Sequence, residues 1–341
     1  MTETPGWSSP DQPNQPQQPG QQPPQYGQQP QYGQQQPQYG QQPGQYGPPP
    51  TIKPGVIPLR PLGVGEIIDG AVQTMRTHPK LLIGAAAVVA AVTQILGLLV
   101  QLPFLDDLNR VATLDPNSLT EQQLVDQFVS GVAGFLTGTL ITVVLVMLGT
   151  VFLSGFITVV VGHAVLGKPV TFAQAWEEFK PRLLPLLGAS LLSTLVVVVG
   201  LFFCILPGIW LGVMFALVTP ALVLERGAVG AAFGRSRALV KNAWWRTFGI
   251  LVLAGLISAV INWIISIPFG LAGAASTGFS SDPTAALTIG SLILSTIGAI
   301  IASTITLPFS SAVYVLVYVD RRMRAEGMDI ELQRAAGHGG L

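Results

Sequence analysis

Apolar residues run along this chain in six long blocks, separated by polar or turn-forming stretches. A helix needs about 20 apolar residues to cross the hydrocarbon core of a bilayer, and most of the blocks reach that length. Strands of an outer-membrane barrel would alternate apolar and polar residues, which these blocks do not do. The pattern predicts six transmembrane helices, at about 81–102, 132–166, 183–206, 209–224, 247–272 and 285–319.

A short amphipathic segment precedes the first, third and fifth blocks. Apolar residues recur at helical spacing within 66–76, 172–180 and 229–241, with charged or amide side chains opposite. Helices of this kind lie in the membrane surface. We therefore predict an all-α integral membrane protein of three pseudo-repeated units, each an interfacial helix followed by a helical hairpin. The alternative is that the three segments are ordinary amphipathic connectors.

Local signals predict where helices begin, turn and bend. Ser118–Glu121 has the pattern of a capping box, which predicts a short helix ahead of the second span. The Pro207-Gly208 pair predicts a tight turn between the third and fourth spans. The second and sixth spans exceed the bilayer thickness, so we expect them to tilt, protrude or bend, with candidate bends at Gly149, Gly155 and Pro308.

The N-terminal segment has low sequence complexity. Gln, Pro and Gly dominate it, and Tyr-Gly recurs at Tyr26, Tyr32, Tyr39 and Tyr46. Its apolar area is too small to offset the entropy of ordering. We expect a disordered cytoplasmic tail over 1–58, a six-helix membrane domain over 59–325 and a short C-terminal tail over 326–341. The long tail either is merely solvated or takes part in weak association with other proteins.

Basic residues predict the orientation, because Lys and Arg favour cytoplasmic loops. If the N-terminus lies inside, every Lys and Arg except Arg110 falls on the inner side. Five spans would break this alternation, which supports six. We therefore predict a protein of the cytoplasmic (plasma) membrane with both termini in the cytoplasm.

Composition agrees with a membrane protein and excludes several other classes. The chain is 49% hydrophobic and 10% charged, whereas a soluble domain has about 25% charged residues. Its net charge of zero gives no indication of a nucleic-acid partner. The single cysteine, Cys204, allows no intramolecular disulfide and resembles a small core residue. Residues 1–50 lack the basic start and apolar stretch of a signal peptide.

Candidate reactive residues are few and scattered. His78, His163 and His338 lie far apart, with no acidic cluster beside them. Glu66 and Asp69 lie one helical turn apart and could share a cation, but a solvated, ion-paired face is the favoured interpretation. No ionisable residue occupies the middle of a span, which argues against a proton-coupled pump. We predict no catalytic residue, no metal site and no cofactor.

Basic and aromatic residues meet just before the fifth span. Such residues together suit the headgroup level of an anionic leaflet. The alternative is topology anchoring without a specific lipid. The candidate contacts for anionic lipid are Arg235, Arg237, Lys241, Trp244, Trp245 and Arg246.

The start of the membrane domain resembles a known family. Pro61–Gly70 followed by His78-Pro79 resembles the opening of the bacterial glycerophosphoryl diester phosphodiesterase membrane domain, and the Asp320–Arg322 ending is similar too. The resemblance covers about residues 60–332. With its tail, the chain is also similar to bacterial proteins described as proline- and glycine-rich transmembrane proteins. The catalytic domain of the phosphodiesterases is separate, and its histidine and carboxylate cluster is absent here, so the resemblance implies membrane architecture without hydrolysis.

Together these observations favour a non-enzymatic multi-pass membrane protein that acts through association. Its tail would recruit other proteins at the inner face of the membrane, and membrane lipids are its other expected partners. The alternative is a transporter or lipid-handling protein, in which helices rich in Gly, Ser and Thr surround a central path.

Overall fold

A computed structural model describes residues 55–105, 120–276 and 288–327. The predicted tail up to residue 54 and the residues after 327 lie outside this description. No strand occurs in the described ranges, and the all-α fold class is confirmed. The ten α-helices of the described part are α1 (Val64–Thr77), α2 (Pro79–Gln101), α3 (Glu121–Val165), α4 (Phe172–Phe179), α5 (Leu183–Phe203), α6 (Ile205–Phe215), α7 (Val218–Glu225), α8 (Val229–Lys241), α9 (Trp244–Ser276) and α10 (Ile289–Glu326).

Six segments of the described chain are helical, long and apolar enough to cross a membrane, as predicted. They are Pro79–Phe104, Glu121–Val165, Phe172–Phe203, Ile205–Glu225, Trp244–Ala275 and Ile289–Glu326. The predicted amphipathic segments are helices α1, α4 and α8. Helices α1 and α8 each precede a pair of long segments, and α4 forms the start of the third segment, ahead of α5, so the order of a short amphipathic helix followed by two long helical stretches repeats three times.

The core is densest at one end of the bundle, which we call the basic end because Arg246, Arg321 and Arg324 lie there. Helix α1 packs against α10, and α7 packs against α3 and α8. Buried apolar side chains from the last turns of α3 and α10 fill the space between them. The three amphipathic helices are thus built into the domain rather than being loose connectors.

The chain leading into α1 is part of this core. Val56 and Ile57 are buried, and Val56 N–H donates to the carbonyl of Ala164 at 3.2 Å. A Cβ atom at Gly55 would lie 2.0 Å from the same carbonyl oxygen, so this close approach requires glycine. Ordered packing therefore begins within the last residues of the segment assigned to the tail.

The start of α3 corrects one prediction. Thr120 is the N-cap, and its hydroxyl accepts from Gln123 N–H at 3.4 Å while Gln123 Oε1 accepts from Thr120 N–H at 3.1 Å. The predicted cap, Ser118, lies outside the described residues. The separate short helix is wrong, because α3 continues without interruption over 45 residues. No proline follows the cap to end a first short helix.

The predicted turn at Pro207-Gly208 is also wrong. The chain reverses at Cys204, which is extended with φ −170° and ψ 145°. Pro207 lies in the first turn of α6, where a proline sacrifices no helical hydrogen bond. A Cβ at Gly208 would meet the Leu201 side chain at 2.4 Å, so this glycine permits close packing of α5 against α6.

The predicted bend positions lie inside unbroken helices. Helix α3 is helical through Gly149 and Gly155, and α10 is helical through Pro308. A break occurs instead in the fourth long segment, between α6 and α7. There, Ala216 N–H donates to the carbonyl of Val213 at 3.3 Å in place of the regular helical bond.

Candidate functional site

The side chain of Asp320, near the end of α10, is fully buried at the basic end. Its Oδ1 accepts from Leu62 N–H at 2.8 Å and from Arg324 Nε at 2.9 Å, and its Oδ2 accepts from Arg246 Nη2 at 3.3 Å. Both guanidinium groups also donate to the carbonyl of Leu62, each at 2.7 Å. The carboxylate therefore joins the chain entering α1 to α9 and α10, and its charge is compensated.

A second ionic cluster surrounds Glu225, the last residue of α7. Its Oε1 accepts from Arg235 Nε at 2.6 Å and from the Tyr318 hydroxyl. Glu326 pairs with Arg235, and it also accepts from Arg322 Nε at 3.1 Å. Burial lowers the pKa of Arg235, but the hydrogen bond and charge of Glu225, with the charge of Glu326, raise it overall. This cluster fastens the interfacial helix α8 to α7 and α10.

The structure divides the six residues predicted to contact anionic lipid. Arg235 and Arg246 bind carboxylates within the protein, so their charges are compensated. Arg237 is exposed on α8. A cavity of about 810 Å³ at the start of α9 is lined by the remaining three, Lys241, Trp244 and Trp245, together with Arg246. The lipid contact stays a prediction for the residues in this cavity.

The indole groups in this cavity are held in place. Trp244 stacks on Phe248 with ring centroids 5.0 Å apart and meets Trp245 edge-on at 4.8 Å. Trp244 Nε1 donates to the carbonyl of Trp210 in α6 at 3.3 Å. Leu206 and Pro207 complete the opposite wall. This cavity, which we call the tryptophan cavity, therefore lies between α6 and the junction of α8 with α9.

His163 meets a carboxylate in space. Its Nε2 lies 3.1 Å from Glu178 Oε1, and Arg226 Nη2 lies 3.5 Å from the other oxygen. The three side chains share a cavity of about 210 Å³ with Lys168. Glu178 therefore links α3, α4 and the α7–α8 turn, through a hydrogen bond with His163 and an ion pair with Arg226.

An uncharged cavity of about 520 Å³ lies between α3, α5, α10 and the α6–α7 break. It sits within the long apolar segments rather than at their ends. None of its described lining residues carries a charge. Hydroxyl groups line it on all four sides, and we call it the hydroxyl cavity. The residues that carry these hydroxyls are Thr150, Ser154, Thr158, Ser190, Ser193, Thr194, Thr219, Ser310, Ser311 and Tyr314.

Some of these hydroxyls are already bonded within the protein. Thr150 donates to the carbonyl of Val146 at 2.8 Å, and Thr158 donates to that of Ser154 at 2.6 Å. Other hydroxyls of the cavity have no hydrogen-bond partner within the described part of the chain, although Ser311 is only 9% exposed. These are Ser190, Thr194, Thr219, Ser311 and Tyr314.

The helix break adds an acceptor to the same cavity. Pro220 has no N–H, so the carbonyl of Ala216, one turn earlier, lacks its usual helical donor. Both residues line the hydroxyl cavity. The site therefore offers hydroxyl donors and a backbone acceptor in a low-dielectric setting, where unpaired polar groups are costly. It is suited to holding a neutral group that forms several hydrogen bonds.

The sequence shows a bundle rich in Gly, Ser and Thr, but the hydroxyl residues of this cavity were not among the predicted site residues. The hydroxyl face of α3 has a visible signal, since Thr150, Ser154 and Thr158 recur every four residues along one side. The contributions from α5, α7 and α10 are isolated, and only the tertiary packing brings them together. No spacing rule identifies such residues.

The profile of one protein family, described as Domain of unknown function (DUF7847), matches residues 120–320. The chain belongs to this family. The DUF7847 range spans α3 to most of α10 and includes all residues that line the hydroxyl cavity. No curated protein and no solved structure matches the chain. The matched range begins after the Pro61–Gly70 motif, so the resemblance to the phosphodiesterase membrane domain stays a prediction.

Proposed function

We propose that the protein is a non-enzymatic, lipid-handling protein of the cytoplasmic membrane. The hydroxyl cavity receives the uncharged, hydrogen-bonding part of a membrane lipid such as a diacylglycerol. The observation that carries this proposal is the set of partnerless hydroxyls gathered around one cavity within the long apolar helices. Recruitment of proteins by the tail stays a separate prediction, because residues 1–54 lie outside the described chain.

The absence of charge in the described lining supports an uncharged ligand group. An ion placed in a site without a counter-charge would lose its hydration at a cost of several kcal/mol or more. A hydroxyl or ester group loses much less, because it can accept hydrogen bonds from Thr219 and Ser311, and a ligand hydroxyl can also donate to the carbonyl of Ala216. The cavity volume of about 520 Å³ falls within the range of small-ligand sites.

The surroundings of the cavity support a lipid rather than a water-borne solute. The helices that enclose it turn large apolar side chains outward, including Val144 on α3 and Leu195 on α5. Such surfaces are solvated by acyl chains in a membrane. A lipid can therefore leave its chains among those of the bilayer while its polar part occupies the cavity.

The basic end is proposed to face the cytoplasm. Arg237 and Lys241 are exposed there, and exposed basic residues favour the cytoplasmic side. The tryptophan cavity then lies at the headgroup level, where its rings and Lys241 serve as the anionic-lipid contact predicted from sequence. Both termini lie on that same side.

The proposal is tested by ligand-induced stabilisation of purified full-length protein in detergent. A ligand that binds only the folded state raises the unfolding temperature. We expect dioleoylglycerol to stabilise the wild type and dioleoylphosphatidylglycerol to have a smaller effect. The double variant Thr219→Val/Ser311→Ala should lose the response to dioleoylglycerol.

Thr304→Val is the matched control. Its hydroxyl donates to the carbonyl of Ile300 within α10 at 2.7 Å and does not line the cavity. This variant should keep the full response. An equal response in the wild type and the double variant would exclude the hydroxyl cavity as the binding site.

A further inference from the structure

Helix α6 packs with its end against the interfacial helix α8. Ser236 Oγ donates to the carbonyl of Met214 at 2.8 Å, and the rings of Phe215 and Phe233 are 5.1 Å apart. Further towards the start of α6, Trp210 accepts the indole N–H of Trp244 at 3.3 Å. The end of α6 is therefore held against α8, the helix that sequence and charge assign to the membrane surface, and the middle of α6 is held against the start of α9.

The depth of Trp244 follows from the pairing of α9 with α10. These helices run antiparallel, since Ser258 lies 2.9 Å from Ser310 while Arg246 binds Asp320 at 3.3 Å. Trp244 precedes Arg246, so it lies at the level of the last turns of α10, at the basic end. Its contact with Trp210 brings the middle of α6 to that same end.

The residues on either side of the hairpin formed by α5 and α6 also lie at the basic end. Arg182, which precedes α5, donates to the carbonyl of Arg226 at 3.1 Å, and Glu225 closes α7 in the ionic cluster with Arg235. The chain therefore enters α5 and leaves α7 at the basic end, and it is the contact of Trp210 with Trp244 that keeps the middle of α6 near this end as well. A hairpin that crossed the bilayer would place Cys204 at the opposite end.

The surface of the hairpin identifies what surrounds it. Phe202, Phe203 and Leu206 at its tip are 87%, 81% and 75% exposed. Apolar side chains exposed to this degree in a membrane protein are solvated by acyl chains, and not by water or headgroups. Lys241 and Asn242, which share the tryptophan cavity with Leu206, place that tip beside the inner headgroups.

We propose that the α5–α6 hairpin is re-entrant: it is embedded among the acyl chains of the cytoplasmic leaflet and does not cross the membrane. Helices α2, α3, α9 and α10 are then the four crossing segments. The inference uses the orientation proposed above but not the ligand of the hydroxyl cavity. In this topology the hairpin binds lipids of the cytoplasmic leaflet. The tryptophan cavity is then the gap between the hairpin and α8.

The native Cys204 thiol tests this topology directly, since Cys204 is exposed and the sequence contains no other cysteine. Intact cells that express the full-length chain are treated with a membrane-impermeant maleimide. Six crossings predict that Cys204 reacts from outside. The re-entrant hairpin predicts that it is protected, whereas a cysteine at the far end of α3, in Cys204→Ala/Gln122→Cys, reacts.

A cross-linking experiment in the same membranes complements the labelling of Cys204. In Asn242→Cys, a short membrane-permeant bismaleimide should link the new thiol to Cys204, because Asn242 and Leu206 line one cavity. The matched variant Gln122→Cys, with Cys204 retained, should give no link. Labelling of Cys204 from outside, or failure of Asn242→Cys to cross-link, would overturn the proposal, and neither result depends on binding at the hydroxyl cavity.

Discussion

The basic end and the hydroxyl cavity are both polar regions of a largely apolar protein, but their polar groups are used in opposite ways. At the basic end, the carboxylates of Asp320 and Glu225 accept hydrogen bonds from several residues, most of which lie in other parts of the chain. In the hydroxyl cavity, residues such as Thr194 and Thr219 find no partner within the described chain. Polar groups satisfied internally stabilise a fold, whereas those left open are available to a ligand.

This difference has a measurable consequence. Substitutions at the basic end should reduce stability whether or not a ligand is present. Substitutions in the hydroxyl cavity should leave the unliganded protein unchanged and affect only what it binds. A basic-end variant that keeps its full stability would contradict this difference between the two regions. So would a cavity variant that unfolds without ligand.

The largest effect is expected for Asp320→Asn. The amide keeps the shape of the side chain but removes the charge that Arg246 and Arg324 share, and breaking a buried ion pair typically costs about 3–5 kcal/mol. Denaturant-induced unfolding in detergent micelles measures this loss. Asp69→Asn, at an exposed position on α1, is the control and should remain near wild type. An equal stability for the two variants would show that Asp320 does not hold the basic end together.

A smaller loss is expected for Glu225→Gln. The amide oxygen can still accept from Tyr318 or Arg235, but it no longer carries the negative charge that pairs with Arg235, and losing a bond to a charged group costs about 1–3 kcal/mol. Limited proteolysis in the α7–α8 region should also accelerate, because the cluster fastens α8 to the bundle. Glu177→Gln on the exposed face of α4 should change neither quantity. An unaltered cleavage rate in Glu225→Gln would count against the fastening role.

The smallest effect is expected for Thr194→Val in the hydroxyl cavity. The two side chains have nearly the same shape, and the hydroxyl has no partner to lose within the described residues. The unfolding free energy of delipidated protein should change by no more than about 0.5 kcal/mol. A loss as large as that of Glu225→Gln would mean that this hydroxyl is part of the folding core.

Much of the architecture could be predicted from the sequence, because apolar blocks and helical periodicity are local properties. The six long segments and the three amphipathic helices all lie where these patterns indicated. The turn at Cys204 was misplaced, since the Pro207-Gly208 pair is equally suited to starting α6 and packing it on α5. The cap at Thr120 was missed by two residues for a similar reason, as several cap residues stand close together.

The site residues could not be predicted in the same way. Asp320 bonds to a residue 258 positions away in the sequence, and the hydroxyl cavity combines residues from five helices. Only tertiary packing decides which charges are compensated. This is why Arg235 and Arg246, chosen for a lipid contact from their neighbours in sequence, bind carboxylates of the protein instead.

The central claim is that the hydroxyl cavity holds a neutral lipid, and native mass spectrometry of the full-length protein tests it most directly. Protein is released from the membrane in mild detergent, and the retained lipids are weighed and identified. We predict that a neutral glycerolipid accompanies wild type and Thr304→Val but is lost from Thr219→Val/Ser311→Ala. Identical lipid complements in all three proteins would contradict the account.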